Sequence, residues 1–225
     1  SAKSPENTQI TRTQTQNKQN TNNKMSIPTT QKVYQISKHE GIENLVQTTD
    51  SVPRPKRGQV LVKIHATSLN FRDLMVASGQ YPGSFPKNLV PLSDGAGEIV
   101  EVGEDVTEFK TGDKVAGTFF EKWLDGPIIH KAMGAALGGS SHGMLAQYRV
   151  FDKSGVVKIP SFFTYEEAAT LPCAALTAWN ALACGPNPIR PGQSVLVLGT
   201  GGVSVFAIQF ASAAGARVIV TSSSD

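Results

Sequence analysis

The sequence is poor in the groups that would tie it together covalently or through metal. Its 225 residues contain only two cysteines, Cys173 and Cys184, and four histidines, His39, His65, His130 and His142. None of these shows a paired spacing, which argues against a disulfide framework and against a zinc ribbon. No apolar run approaches the ~18 residues of a membrane span, so a soluble, cytoplasmic protein without a membrane partner is expected. Charge of one sign is scarce as well, with 21 Lys and Arg against 18 Asp and Glu. The small basic surplus belongs to residues 1–24, where Lys3, Arg12, Lys18 and Lys24 face Glu6 alone, leaving 17 of each sign elsewhere. A body so balanced carries no basic patch for nucleic acid. Apolar residues are also nearly absent before Met25, so residues 1–30 are expected to form a disordered polar tail.

What the chain does contain is most legible at Ser194-Val-Leu-Val-Leu-Gly-Thr-Gly-Gly-Val-Ser204. An apolar strand runs into a glycine-rich turn, then into a helix bearing Val205, Ile208 and Ala211. A second strand, Ala216-Arg-Val-Ile-Val-Thr221, follows. That order is the first half of a dinucleotide-binding unit. Gly199 permits the tight turn and Gly201 lets a pyrophosphate approach the backbone. Thr200, Gly202 and Val203 complete the turn, whose helix offers its N-terminal N–H groups to phosphate. Ser204 stands where the third glycine of the fingerprint usually lies.

A second absence bears on the cofactor. An NAD site usually has Asp or Glu at the end of the second strand. Here Thr221, Ser222, Ser223 and Ser224 occupy that place. Hydroxyls donate to a 2′-phosphate that a carboxylate would repel, so NADP(H) is expected, with Ser222 and Ser223 as contacts. Asp225 reads as the N-cap of a further helix. One strand–helix–strand unit is too little for a sheet covered on both faces. The chain is therefore expected to be an inactive part of a longer protein.

Between Gln31 and Ile159 the pattern changes to short strands. Gln59–Leu69 places Val60, Val62, Ile64 and Ala66 on one face at period two. Gly95–Gly103, Gly112–Gly117 and Leu145–Val150 add further strands bounded by Gly or Asp, which implies a compact β-barrel-like domain. Asn70–Ser78 reads as a short helix ended at Gly79. Thr164-Tyr-Glu-Glu167 is a capping box opening a helical stretch.

The ordered stretches Leu69-Asn-Phe-Arg-Asp73, Gly95–Gly103, Gly112-Asp-Lys-Val115, Leu171-Pro-Cys-Ala-Ala-Leu-Thr-Ala178 and Gly199–Ser204 resemble the medium-chain dehydrogenase/reductase superfamily. They are most similar to its zinc-independent quinone oxidoreductases and enoyl reductases. The resemblance implies an α/β protein, with a GroES-like β-barrel domain (31–158) followed by a Rossmann-type nucleotide-binding domain (159–225) truncated after its first βαβ unit. It further implies hydride transfer to a small-molecule substrate and a homodimer for the whole protein.

Zinc enzymes of this family bind catalytic metal through a Cys, a His-Glu pair and a second Cys. Here Asn70 stands at the first Cys and Ser93-Asp94-Gly95 at the Gly-His-Glu segment, while Cys173 alone matches. One cysteine does not make a three-ligand site, so no metal is expected and Cys173 reads as a small core residue. An acceptor must then be polarised by hydrogen-bond donors and protonated by an acid. Asn70 is the candidate donor or simply a helix cap. Arg72 meets an anionic group or lies on a solvated face. Tyr81 is the acid or the anchor of the Pro82-Gly83 turn, and its spacing from Asn70 matches the proposed acid tyrosine of mitochondrial-type enoyl reductases. Asp73 is expected to make an internal polar contact, and residues between Thr118 and Ser141 to wall the cleft. Thr177 resembles the family residue beside the nicotinamide. The expected activity is NADPH-dependent reduction of a quinone, enone or enoyl thioester. A zinc-free alcohol or aldehyde oxidoreductase and a catalytically silent nucleotide-binding protein are the alternatives.

Overall fold

The computed structural model describes residues 26–223. The expected tail therefore lies outside the described residues as far as Met25, as do Ser224 and Asp225. Thr30 already opens β1 (Thr30–Ile36), which pairs antiparallel with β2 (Leu45–Ser51). A five-stranded antiparallel sheet follows, built from β3 (Gln59–Ser68), β4 (Asp94–Val102), β5 (Lys114–Gly117), β6 (Tyr148–Asp152) and β7 (Val156–Lys158). Its spatial order is β6-β3-β4-β5-β7. The sheet curls around Val60, Val62, Ile99, Val115, Phe151 and Val156, with Leu92, Leu137 and Met144 filling the core from loops. This curled sheet forms the barrel-like β domain.

Two details depart from the sequence pattern. Leu61 is as buried as Val60 and Val62, because a bulge between Leu61 and Val62 breaks the alternation and β3 is interior to its sheet. The last long strand begins at Tyr148 rather than Leu145. The residues before it serve the first ribbon instead: Ala146 bridges Val33, and Tyr34 N–H donates to the Leu145 carbonyl.

Helix α1 (Phe71–Ala77) lies between β3 and β4, and a short α2 (His130–Met133) lies between β5 and β6. After the barrel come α3 (Tyr165–Ala169), a wide π-helical turn (Leu171–Ala175) and α4 (Leu176–Ala183). The capping box at Thr164 is formed: its hydroxyl accepts from Glu167 N–H, and the Glu167 carboxylate accepts from Thr164 N–H. Next are β8 (Ser194–Leu198), α5 (Gly202–Ala213) and β9 (Arg217–Thr221), with β8 and β9 parallel. Helix α5 packs on α4 through Trp179 and Phe210, whose rings meet edge to face at 5.6 Å. Within α5, Ala211 is buried and Ile208 half-buried as the periodicity requires, but Val205 is exposed. Among the described residues the helix packs on α4, the π turn and the two strands, and these leave Val205 uncovered.

Candidate functional site

The site is built around a buried carboxylate. Leu92 is held at φ +70°, a conformation costly for a branched side chain. Gly138 packs against it so closely that a Cβ there would overlap the Leu92 backbone, and the Leu92 carbonyl accepts from Met144 N–H at 2.8 Å. The strained turn delivers Ser93 and Asp94, both fully buried, into the interior. The Asp94 carboxylate accepts from the Ser93 hydroxyl at 2.7 Å and from Cys173 N–H at 3.0 Å. Burial raises its pKa above the ordinary carboxylate range, opposed by the hydrogen bonds from Ser93, Asn70 and Cys173 and by the charge of Arg72.

Helix α1 presents the neighbouring groups. Asn70 is its N-cap residue, and the Asp73 carboxylate reaches back to Asn70 N–H at 2.8 Å. The internal contact expected of Asp73 is thus present. The same carboxyl is buried, which pushes its pKa from 3.8 up to about 6. The Asn70 amide lies toward Asp94 and helps hold that carboxyl down, yet its buried Nδ2 closes no hydrogen bond of normal geometry. Arg72 turns inward rather than to solvent. Its Nη1 donates to the Leu137 carbonyl at 2.9 Å, and its guanidinium lies 4.7 Å from the ring centres of both Tyr81 and Phe119. Tyr81 therefore serves as a stacking surface for Arg72 as well as packing against Ile36, Val76 and Leu89.

The Asp94–Cys173 bond joins the barrel to the π turn. Such a turn leaves a backbone N–H out of the regular ladder, and here Asp94 receives it. Thr177, one helical turn on, donates its hydroxyl back to the Cys173 carbonyl at 2.7 Å. Beside these two residues opens a cleft of about 530 Å³. Its helical wall is Pro172, Cys173, Leu176, Thr177 and Asn180, and its barrel wall is Thr118, Phe119, Phe120 and Trp123. Of the segment between Thr118 and Ser141 expected to wall the cleft, only the part up to Trp123 lines it. Cys173 is half-buried on that wall rather than in the core, because the π turn rotates it toward the opening. Burial, with help from Asp94, pushes its thiol up to about 11.

The glycine turn lies on the other side of the π turn. Gly199 takes φ +78°, and its N–H donates to the Thr221 carbonyl at 3.0 Å, closing the turn across to β9. Space above Gly199 and Gly201 is open, leaving the outer face of the turn free for a ligand's phosphates. A side chain on Gly202 would just touch Ala174 of the π turn at 3.5 Å. Thr200, Gly201, Gly202 and Val203 are exposed at the start of the twelve-residue α5. The Ser204 hydroxyl donates to the Leu198 carbonyl at 3.0 Å, a contact the usual third glycine could not make. Ser222 and Ser223 are exposed just beyond β9.

Asn70, Arg72 and Tyr81 are thus gathered on the α1 side, while Thr177 and the glycine turn lie on either side of the π turn. Neither Asn70, Arg72 nor Tyr81 lines the cleft. The aromatic wall and the linking role of Asp94 had no local signal, since each depends on contacts between distant segments. Among the described residues no three His, Cys, Asp or Glu side chains come together to hold a metal. The Asp94 carboxylate is engaged with Ser93 and Cys173. The glycine turn, by contrast, fits a dinucleotide.

Comparison with known proteins matches residues 56–161 to the alcohol dehydrogenase GroES-like domain. The chain is 50% identical over 187 residues to a zinc-type alcohol dehydrogenase-like protein of Schizosaccharomyces pombe, covering 82% of this chain and 54% of that protein. It is 34% identical over 194 residues to the 2-methylene-furan-3-one reductase of Solanum lycopersicum, covering 85% and 46%. A solved structure from Sinorhizobium meliloti 1021, assigned as an alcohol dehydrogenase, superposes with a TM-score of 0.80 at 38% identity, covering 88% and 59%. The chain spans about half the length of the curated relatives it matches.

Proposed function

The chain belongs to the medium-chain dehydrogenase/reductase superfamily, and from that premise we propose that the whole protein transfers hydride from NADPH to an activated carbon–carbon double bond. One observation carries the reading. The π turn packs beside the start of α5, so close that a side chain on Gly202 would meet Ala174, and it lines the cleft through Cys173. Cofactor and acceptor would therefore meet across Thr177. The enone reductase among the relatives supports the acceptor class.

Gly199, Thr200, Gly201, Gly202 and Val203 would hold the pyrophosphate, Ser222 and Ser223 the 2′-phosphate, and Thr177 the nicotinamide side. A nicotinamide held there would supply the hydride, to the carbon β to the acceptor's carbonyl. Negative charge would develop on the carbonyl oxygen, and Asn70 is the donor we assign to it. Neither Asn70 nor Tyr81 lines the cleft and the Asn70 Nδ2 is buried, so this assignment requires the acceptor to reach beyond the cleft toward α1. Tyr81 supplies the proton to the α carbon, its ring held by Arg72. Arg72 itself is engaged with Leu137, Tyr81 and Phe119 and keeps the cluster in place. Zinc has no part in this reading, because Asn70 and Asp94 stand where the Cys and His ligands of the zinc enzymes would be.

The test is NADPH oxidation by the full-length protein with a quinone or enone, before and after exhaustive treatment with a chelator. Turnover that survives the chelator is expected. Stoichiometric zinc, with loss of turnover on its removal, would defeat the metal-free reading. Alcohol-dependent reduction of NADP without enone reduction would favour the second reading, an alcohol oxidoreductase, which the name of the Schizosaccharomyces pombe relative favours. Cofactor preference is tested by Ser222→Asp, which sets a carboxylate against the 2′-phosphate. Loss of a charge-assisted contact is worth roughly 1–3 kcal/mol, so NADPH preference should flatten or reverse. A parent protein that already binds NADH more tightly would contradict the assignment.

A further inference from the structure

The acceptor cleft differs from a general reductase pocket in what its wall carries. We propose that it selects an uncharged, planar aromatic acceptor, an aryl enone or a quinone, by stacking against Phe120 and Trp123. The proposal rests on the reading of the protein as a reductase of activated double bonds and narrows its substrate class.

Charge is the first argument. None of the residues lining the cleft is an acid or a base in its charged form: they are aromatic, aliphatic, hydroxyl or amide groups, and Cys173, whose thiol is neutral. Two arginines lie close to the barrel wall; each keeps a buried Nε without a partner, but neither lines the cleft and both direct their terminal nitrogens elsewhere. Arg72 donates to the Leu137 carbonyl and stacks on Phe119 and Tyr81. Arg149 donates to Glu121 at 2.8 Å and to the Gly143 carbonyl at 3.1 Å. A carboxylate or phosphate entering the cleft would lose water and find no counter-charge.

Shape is the second. Phe119, Phe120 and Trp123 form a continuous edge-to-face ladder, with ring centres 4.7 Å and 5.7 Å apart. Aromatic rings prefer such arrangements, and a flat ligand can extend them. The indole of Trp123 is 43% exposed, while its Nε1 is fixed to the Gly126 carbonyl at 2.9 Å. The ladder is held from behind, Phe119 by Arg72 and the adjoining Glu121 by Arg149. Little ordering is left to occur on binding, so stacking translates into affinity. A cleft of about 530 Å³ is large enough for a bicyclic or aryl-substituted ligand.

A matched set of ligands separates these arguments from general hydrophobic binding. Calorimetric titration of the full-length protein, without cofactor, with 4-phenyl-3-buten-2-one, with its para-carboxylate and with its para-carboxamide is the experiment. The neutral ketone, and the para-carboxamide that matches the carboxylate in size, should each bind at least about tenfold more tightly than the carboxylate. Trp123→Ala should cost the neutral ketone about tenfold in affinity, with unchanged circular dichroism. Phe120→Ala repeats the test from a second ring. Equal or tighter binding of the carboxylate, or affinity indifferent to both ring deletions, would overturn the proposal. NADPH consumption with the neutral ketone is read separately. Binding without hydride transfer supports the cleft assignment while defeating the reductase reading.

Discussion

Two carboxyl groups on adjoining elements share the interior with one guanidinium, and their titration reports on the fold. Asp73 is raised from 3.8 to about 6, with burial the largest cause and the carboxylate of Asp94 adding to it. A carboxyl whose folded pKa lies above its unfolded value favours the folded state when protonated. Its contribution is fully present below about pH 4 and is lost as pH rises through about 6. A shift of about two units corresponds to up to about 3 kcal/mol. Asp73→Asn keeps an oxygen to accept from Asn70 N–H and removes the charge. The variant should therefore lose less stability than the parent between pH 4.5 and 7.5, with urea midpoints at the two pH values as the measure. Equal losses would show that Asp73 does not titrate in this range. The N-cap role of Asn70 was legible in the sequence, because a cap and its Asp three residues on are set by local geometry. The bond from Cys173 N–H to Asp94 spans 79 positions, and no local pattern encodes it.

At the scale of elements, the barrel wall of the cleft depends on one ion pair. Arg149 on β6 and Glu121, in the aromatic segment after β5, retain only 13% and 12% side-chain exposure. Burial lowers the pKa of Arg149 and raises that of Glu121, each partly restored by the other. Desolvation thus outweighs the attraction, as is usual for such pairs, and removing one partner leaves a buried charge uncompensated. Glu121→Ala should cost about 3 kcal/mol, at the low end for such a loss, because Arg149 keeps the carbonyls of His142 and Gly143. Amide hydrogen exchange should quicken in residues 118–126 more than in β3 and β4. A uniform increase across the barrel would mean that the pair holds the whole domain rather than the wall. Sequence periodicity located β3, β4 and α5 because burial repeats along each of them. It placed the segment 118–141 only as a boundary of the cleft. That segment contains little regular structure, and its order comes from Arg72 and Arg149, whose partners lie 65 and 28 positions away.

At the scale of the whole molecule, the two sheets differ in how completely they are covered. The barrel closes around an apolar cluster, whereas β8 and β9 form a sheet of two strands among the described residues. Parallel strands are ordinarily buried on both faces. Here Leu196 and Leu198 are 61% and 71% exposed and Ile219 and Val220 are 44% and 41% exposed, while Val218 is half-buried. Helix α5 packs against both strands. An exposed apolar strand pair with unsatisfied edges is a surface for association. The 225-residue polypeptide prepared alone should therefore associate as its concentration rises, and it should bind NADPH weakly, since one turn and two strands supply only part of a dinucleotide site. Sedimentation velocity across a concentration series is the measurement. Leu198→Lys with Ile219→Lys should shift the distribution toward monomer while leaving the barrel's circular dichroism unchanged. Persistent association in that double variant would place the contact elsewhere, with the exposed Phe71 and Leu74 of α1 as the next surface to test.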